Sequence, residues 1–158
     1  MNITVICVGK LKEKYLKEAV SEYSKRLSRF VKLEIIELPD CKIPDNASPA
    51  QEAEVLEKEG DMILSKIKQN SYVVAMCIEG KELSSTEFAK KIENISMQSS
   101  NIVFIIGGSL GLSDKVKKTA SLHLSFGKIT LPHQLMRVIL LEQVYRGYKI
   151  NNNETYHK

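Results

Sequence analysis

Short, nearly unbroken apolar runs alternate along this chain with longer stretches in which apolar residues return every three or four positions. The first pattern is that of a strand buried on both faces, the second that of an amphipathic helix. Ile3–Val8 is the first such run, and Gly9 ends it. A helix is predicted after it through about Phe30, because Leu16, Val20, Tyr23, Leu27 and Phe30 form one stripe. Lys12, Lys17, Lys25, Arg26 and Arg29 spread over its remaining surface. Leu33–Leu38 reads as a second strand closed by Pro39-Asp40, with a polar loop over 39–47. Ser48-Pro49-Ala50-Gln51 is a helix start: a capping serine, proline at the first helical position and a glutamine placed to cap in return. That helix runs to about Ile67, and its Glu52, Glu54, Glu57 and Glu59 read as a solvated face.

Tyr72–Ile78 is the third predicted strand, followed by a turn at Glu79-Gly80-Lys81-Glu82. Ser84 and Glu87 make a capping box that opens a helix to about Met97. Asn101–Ile106 is almost wholly apolar and is predicted to be a central strand. Gly107-Gly108-Ser109-Leu110-Gly111 then turns the chain, and Ser113-Asp114 starts a short helix ending near Ala120. Leu122–Phe126 is the fifth strand and Gly127–Leu131 a loop, after which Pro132 opens the last helix, through about Ile150. Strands alternating with helices predict an α/β fold, a largely parallel sheet with helices on both faces, as one domain over residues 1–158. Open sheets of this kind bind ligands beyond the carboxyl ends of their strands, which makes the 107–111 turn and the 127–131 loop the candidate site.

The last helix carries Leu135, Met136, Val138, Ile139, Leu140, Leu141, Val144, Tyr145, Tyr148 and Ile150 around most of its circumference. Such a helix needs cover on more than one side. A second copy of the chain would supply it, and an isologous homodimer built partly on this helix is expected. A central helix within a monomer is the other arrangement. Glu142 and Arg146 stand four apart, the spacing of an intrahelical ion pair. Arg137 falls in the apolar sector and needs a phosphate or a carboxylate there.

Composition narrows the functional classes. The apolar fraction is 43% and the charged fraction 27%, ordinary for a soluble globular chain. No apolar run approaches a membrane span, and Ile3–Val8 lacks the flanks of a signal peptide, so a cytoplasmic protein without membrane attachment is expected. Cys7, Cys41 and Cys77 form no C-x-x-C pair, and His123, His133 and His157 are too scattered for a metal site. The net charge of +4 is unevenly distributed. Residues 1–32 carry eight Lys/Arg against three acids, residues 33–62 two against nine, and residues 101–158 eight against three. Basic ends around an acidic middle suit either a positive surface for a polyanion or ordinary solvated helix faces. The glycine turn matches neither a dinucleotide fingerprint nor a P-loop. It reads either as turn geometry or as a close backbone approach to a ligand.

Taken together, Gly107-Gly108-x-x-Gly111-Leu112, Leu124-Ser125, Thr130-Leu131-Pro132-His133-Gln134-x-x-Arg137, Glu142-Gln143-x-Tyr145-Arg146 and the closing Tyr156-His157 resemble one family. Val8-Gly9-Lys10, Glu22-Tyr23 and Lys58-Glu59-Gly60 agree with it. The family is the ribosomal RNA large subunit methyltransferase H family, of the SPOUT (trefoil-knot) methyltransferases, and the similarity spans the chain. The resemblance implies a C-terminal trefoil knot and a homodimer using S-adenosylmethionine without a metal. Its implied substrate is N3 of a pseudouridine in 23S rRNA, within the large subunit or the assembled 70S ribosome. The cofactor positions it implies are Met76, Gly108, Gly127, Lys128, Ile129, Thr130, Leu131 and Pro132.

Transfer to a ring nitrogen needs alignment and removal of the N3 proton. His157 from the partner's tail is the candidate base, with Tyr156 stacking on or hydrogen-bonding the flipped base and His133 as second candidate. Arg137 and Lys158 are expected to hold phosphates. Two other classes stay open: a non-catalytic ribosome- or RNA-binding module of the same fold, and an enzyme for a different nucleotide. Leu110, Gly147 and Thr155 depart from the residues common in the family, and Thr155 bears on how rigidly the tail is presented.

Overall fold

The computed structural model describes all 158 residues. Its elements run β1 (Asn2–Val8), α1 (Lys14–Leu27), β2 (Lys32–Leu38), α2 (Pro49–Lys66), β3 (Tyr72–Glu82), α3 (Ser85–Ser96), β4 (Asn101–Ile106), α4 (Asp114–Thr119), β5 (Leu122–Ser125) and α5 (His133–Asn151). The strands form one sheet in the order β2-β1-β4-β3-β5, and every pairing is parallel. All five strands therefore end on the same edge.

Alternation along the two central strands builds two cores. Ile3, Val5 and Cys7 of β1 join Ile102, Phe104 and Ile106 of β4 beneath α1, α3 and α5. The residues between them, Ile6, Val8, Val103 and Ile105, point to the opposite face and pack with Ile63 of α2 and Val116 of α4. Burial of each of these large side chains stabilises the fold by roughly 1.5–3 kcal/mol. Both predicted capping boxes form: Ser48 with Gln51 and Ser84 with Glu87 each exchange side-chain and backbone hydrogen bonds. Ser113 caps α4 by accepting from the Val116 N–H.

Two boundaries and the burial of one side chain differ from the sequence reading. The chain after Gly9 stays irregular until Lys14, so a loop over 9–13 separates β1 from α1. The polar stretch 79–82, read as a turn, continues β3 after a shift in register, with Lys81 beside Leu124 and Glu82 beside Ser125. Gly80 allows this, because a Cβ there would sit 2.7–2.8 Å from the main chain of His123 and Leu124. On α2, Glu59 is not solvated: it is only 5% exposed and accepts a hydrogen bond from the Cys41 N–H at 3.3 Å. Burial pushes its carboxyl above the ordinary value of 4.5.

No helix is long and apolar enough to cross a membrane. α5 packs against α1 and α3, burying Leu140, Leu141, Val144 and Tyr145. Its Leu135, Val138 and Ile139 are half-buried.

Candidate functional site

A cavity of about 700 Å³ opens beyond the ends of β4 and β5, beside the middle of β3. Three segments and Lys117 of α4 wall it: residues 76–79 of β3, the 106–112 turn after β4, and the chain from Leu124 to the first turn of α5. Its size lies within the range of small-molecule and cofactor sites. Met76 and Leu124 are buried in its wall, whereas Ile78 and Ile129, 50% and 80% exposed, stand at its mouth.

Most of the cofactor positions expected from the sequence meet here: Met76, Gly108, Gly127, Ile129, Thr130, Leu131 and Pro132 all line the cavity. Lys128 does not; its exposed side chain lies outside the lining. Loop 127–132 is set by Ser125, whose hydroxyl donates to the Gly127 carbonyl at 3.0 Å and accepts from the Gly127 N–H at 3.1 Å. This bracket holds Gly127 at φ +119°, and no atom lies within 4 Å of where its Cβ would be. A side chain there would be both strained and extended into open space. None of the backbone N–H groups of residues 128–131 bonds to another backbone group. Free donors and acceptors over an apolar slot fit the edge and faces of a nucleoside base. Gly108 has a second reason to be glycine, since a Cβ would meet Val8 Cγ1 at 3.2 Å.

His133 lines the cavity at the start of α5, with Met136 one turn further on. Cys77 and Glu79 also line it and were missed in the sequence, where they looked like the end of a strand and a turn. Glu79 pairs with Lys117, and that hydrogen bond holds its carboxyl below the ordinary 4.5. Burial raises the Cys77 thiol. No cluster of three or more His, Cys, Asp or Glu has the arrangement of a metal site.

Arg137 departs from its expected role. Its side chain is 1% exposed, with Nη1 on Glu37 Oε2 at 2.7 Å and Nη2 donating to the carbonyls of Gly9 (2.6 Å) and Val8 (3.3 Å). The partner it needed is a carboxylate from β2, and at 1% exposure the guanidinium is closed to an RNA phosphate even though its Nε–H is left unpaired. The same Glu37 oxygen accepts from the Leu11 N–H, and Gln134 accepts from the Lys12 N–H. The start of α5 is thus tied to the 9–13 loop.

The tail is docked and does not fray. Glu154 holds Arg29 and Lys149, and the Tyr156 hydroxyl donates to Glu142 Oε2 at 2.9 Å. The Tyr156 ring stands edge-on to Tyr145 at 5.0 Å, with the Arg146 guanidinium 4.6 Å from its centre. Burial, and then the Glu142 carboxylate, raise the Tyr156 hydroxyl above its ordinary value of 10.0. Arg146 pairs with Glu142 as the spacing predicted, and reaches His157 Nδ1 at 3.3 Å. Tyr156, His157 and Lys158 lie outside the lining of the cavity.

Over residues 1–157 the chain matches the family described as "Predicted SPOUT methyltransferase". It is 64% identical to ribosomal RNA large subunit methyltransferase H 1 of Clostridium perfringens, covering 100% of both chains. Identity to ribosomal RNA large subunit methyltransferase H of Lactobacillus delbrueckii subsp. bulgaricus is 56%, and to that of Streptococcus gordonii 57%, again over 100% of both. The fold is similar to that of a probable methylase family protein from Haemophilus influenzae, with a TM-score of 0.57 and 12% identity. That superposition covers 99% of this chain and 70% of the other.

Proposed function

The chain belongs to the SPOUT methyltransferase family, and from that premise we propose that it methylates ribosomal RNA of the large subunit. In the finer reading it uses S-adenosylmethionine, and its target is N3 of a pseudouridine in 23S rRNA of the assembled ribosome. The observation that carries this reading is convergence: seven of the eight expected cofactor positions line one cavity of about 700 Å³. Full-length identity of 64% to a protein named as a large-subunit rRNA methyltransferase supports the substrate class. The chain acts as one domain in the cytoplasm, with the family's C-terminal knot.

When bound, S-adenosylmethionine supplies an electrophilic methyl group. The chain's own contribution is to hold and align. Met76 and Leu131 form apolar walls for an adenine, and the unpaired backbone groups of 128–131 read its edge. The Ser125 bracket keeps that loop in one conformation before binding, which lowers the ordering cost.

The pseudouridine must give up its N3 proton as the nitrogen forms its new bond to carbon. His157 of the partner protomer takes that proton in this reading, with Tyr156 against the flipped base and Lys158 on a phosphate. His133, already in the lining, is the alternative base. Two features support action across a dimer. The tail lies outside its own cavity, and it is fastened to α5, whose half-buried Leu135, Val138 and Ile139 offer a seam for a second copy.

Calorimetry with S-adenosylmethionine, S-adenosylhomocysteine and NAD tests the cofactor: binding of the first two and not the third is expected. Silence toward the first two ends the methyltransferase reading. Nucleoside mass spectrometry of rRNA from a strain lacking the protein tests the target. N3-methylpseudouridine is expected to vanish there, and its persistence rules the target out.

A further inference from the structure

The rRNA reading leaves one need unmet. An enzyme acting on a large polyanion requires phosphate contacts near its site, and of the two expected, Arg137 is enclosed, which leaves only Lys158 at the end of the tail. The chain segment that Arg137 fixes supplies the replacement. Between residues 10 and 17 there are four lysines, Lys10, Lys12, Lys14 and Lys17, against the single acid Glu13. All four are exposed. Lys10, Lys12 and Lys17 make no ion pair, and Lys14 reaches Glu18 only at 3.8 Å with both side chains in solvent. Among them stands Tyr15, 67% exposed, its ring stacked on nothing.

Position makes this more than a solvated helix end. The loop leaves β1 on the edge where the cavity opens, and β1 is paired with β4, whose turn is a cavity wall. Its main chain is pinned there by Arg137 on the Gly9 carbonyl, Glu37 on the Leu11 N–H and Gln134 on the Lys12 N–H. Gln134 itself follows His133 of the cavity lining. A free phenol ring on the first turn of α1, next to exposed ammonium groups on the fixed loop that leads into it, is the arrangement that holds a single strand: cations for the backbone, a flat face for a base.

We infer that residues 10–17 form an RNA-holding surface at the cavity's side, with Lys10 and Lys12 on phosphates and Tyr15 stacked on a base next to the target. The inference rests on the rRNA reading. A second copy of this chain suits the surface less well, since an isologous contact of the patch with itself sets lysine against lysine.

The test uses the intact protein and purified 70S ribosomes, with affinity measured over a series of KCl concentrations. Each lost phosphate contact on a single strand lowers the slope of log affinity against log salt by about 0.7, so Lys10→Ala with Lys12→Ala is expected to lower it by about 1.4. Tyr15→Ala is expected to weaken binding on the order of tenfold and leave the slope alone. Both variants are expected to keep wild-type affinity for S-adenosylmethionine in calorimetry and wild-type sedimentation, which separates them from misfolding. Ribosome affinity and slope unchanged in both variants overturn the surface while leaving the methyltransferase reading intact. Tyr15→Ala that sediments as a monomer where wild type is a dimer overturns it too, and assigns the patch to a contact between copies. Wild-type protein that does not bind ribosomes at all defeats the rRNA reading, and the surface with it.

Discussion

Glu37→Ala leaves the Arg137 guanidinium buried with two carbonyl oxygens and no counter-charge. Removing one partner of a buried pair costs about 3–5 kcal/mol, mostly from the stranded charge. Glu37 is 36% exposed, so its side of the pair is partly screened and the low end, about 3 kcal/mol, is the fitting figure. Arg137→Met is the milder change. It leaves a carboxylate that reaches water and still holds the Leu11 N–H, and its main loss is the donor to two carbonyls, at about 1–3 kcal/mol. The combination should therefore be non-additive with a definite sign: Arg137→Met added to Glu37→Ala removes the stranded charge and recovers stability.

Urea unfolding at pH 7 and one protein concentration, with slopes compared, measures this directly. In a thermal melt of a chain of this size each kcal/mol moves Tm by roughly 2–4 °C, so Glu37→Ala is expected to melt about 6–12 °C low. A double variant less stable than Glu37→Ala, or a Glu37→Ala variant within about 1 kcal/mol of wild type, refutes the stranded-charge account.

Deleting Tyr156–Lys158 is expected to collapse rRNA methylation while S-adenosylmethionine affinity stays near wild type; retained turnover removes the tail from catalysis. Gly127→Ala forces a side chain onto φ +119°, a strain of about 1–3 kcal/mol, and is expected to weaken cofactor binding with little change in the melting of the sheet. Unaltered calorimetric affinity would show that the loop's shape is not what binds. Glu59 carries the opposite sign from a paired carboxylate. Its folded value lies above the ordinary 4.5, so it favours the fold most at low pH, and that contribution is lost as pH rises through the raised value. Glu59→Gln is therefore expected to gain stability relative to wild type as pH rises from the ordinary 4.5 through the raised value. A constant difference across that window counts against the assignment.

The elements legible in the sequence were those whose signal is local. Two capping boxes, five apolar runs and the stripe on α1 each occupy a few neighbouring residues, and each formed as expected. What escaped depends on contacts far along the chain. Arg137 declares that it needs an anion, but nothing in its neighbourhood points to Glu37, 100 residues earlier. The polar stretch 79–82 has a turn's composition, and it stays in the sheet because Gly80 lets β5 come within backbone distance. Glu59 belongs to a run of glutamates, and only the packing of α2 on the sheet separates it from the solvated ones. Ser125 had a signal that went unused: a serine two residues before a glycine at a strand's end is a common way to close a tight turn.

α5 shows how these long-range contacts divide one helix into three jobs. Its first turn, with His133 and Met136, closes the cavity. One turn on, Arg137 reaches through the core to fix the 9–13 loop, and with it the lysines proposed to meet RNA. Its second half carries Glu142, Tyr145 and Arg146, which hold the tail. Cofactor pocket, RNA surface and tail are therefore attached to a single rigid body, and their spacing is set by helix geometry rather than by loop conformations. That arrangement makes the three jobs separable by mutation along α5. A lesion at Gln134 should act on ribosome binding, one at Met136 on cofactor binding, and one at Glu142 on turnover alone. A Glu142→Gln variant that lost cofactor affinity as severely as turnover would contradict that division, because Glu142 lies outside the cavity lining and its partners are Tyr156 of the tail, Arg146 of its own helix and Tyr23 of α1.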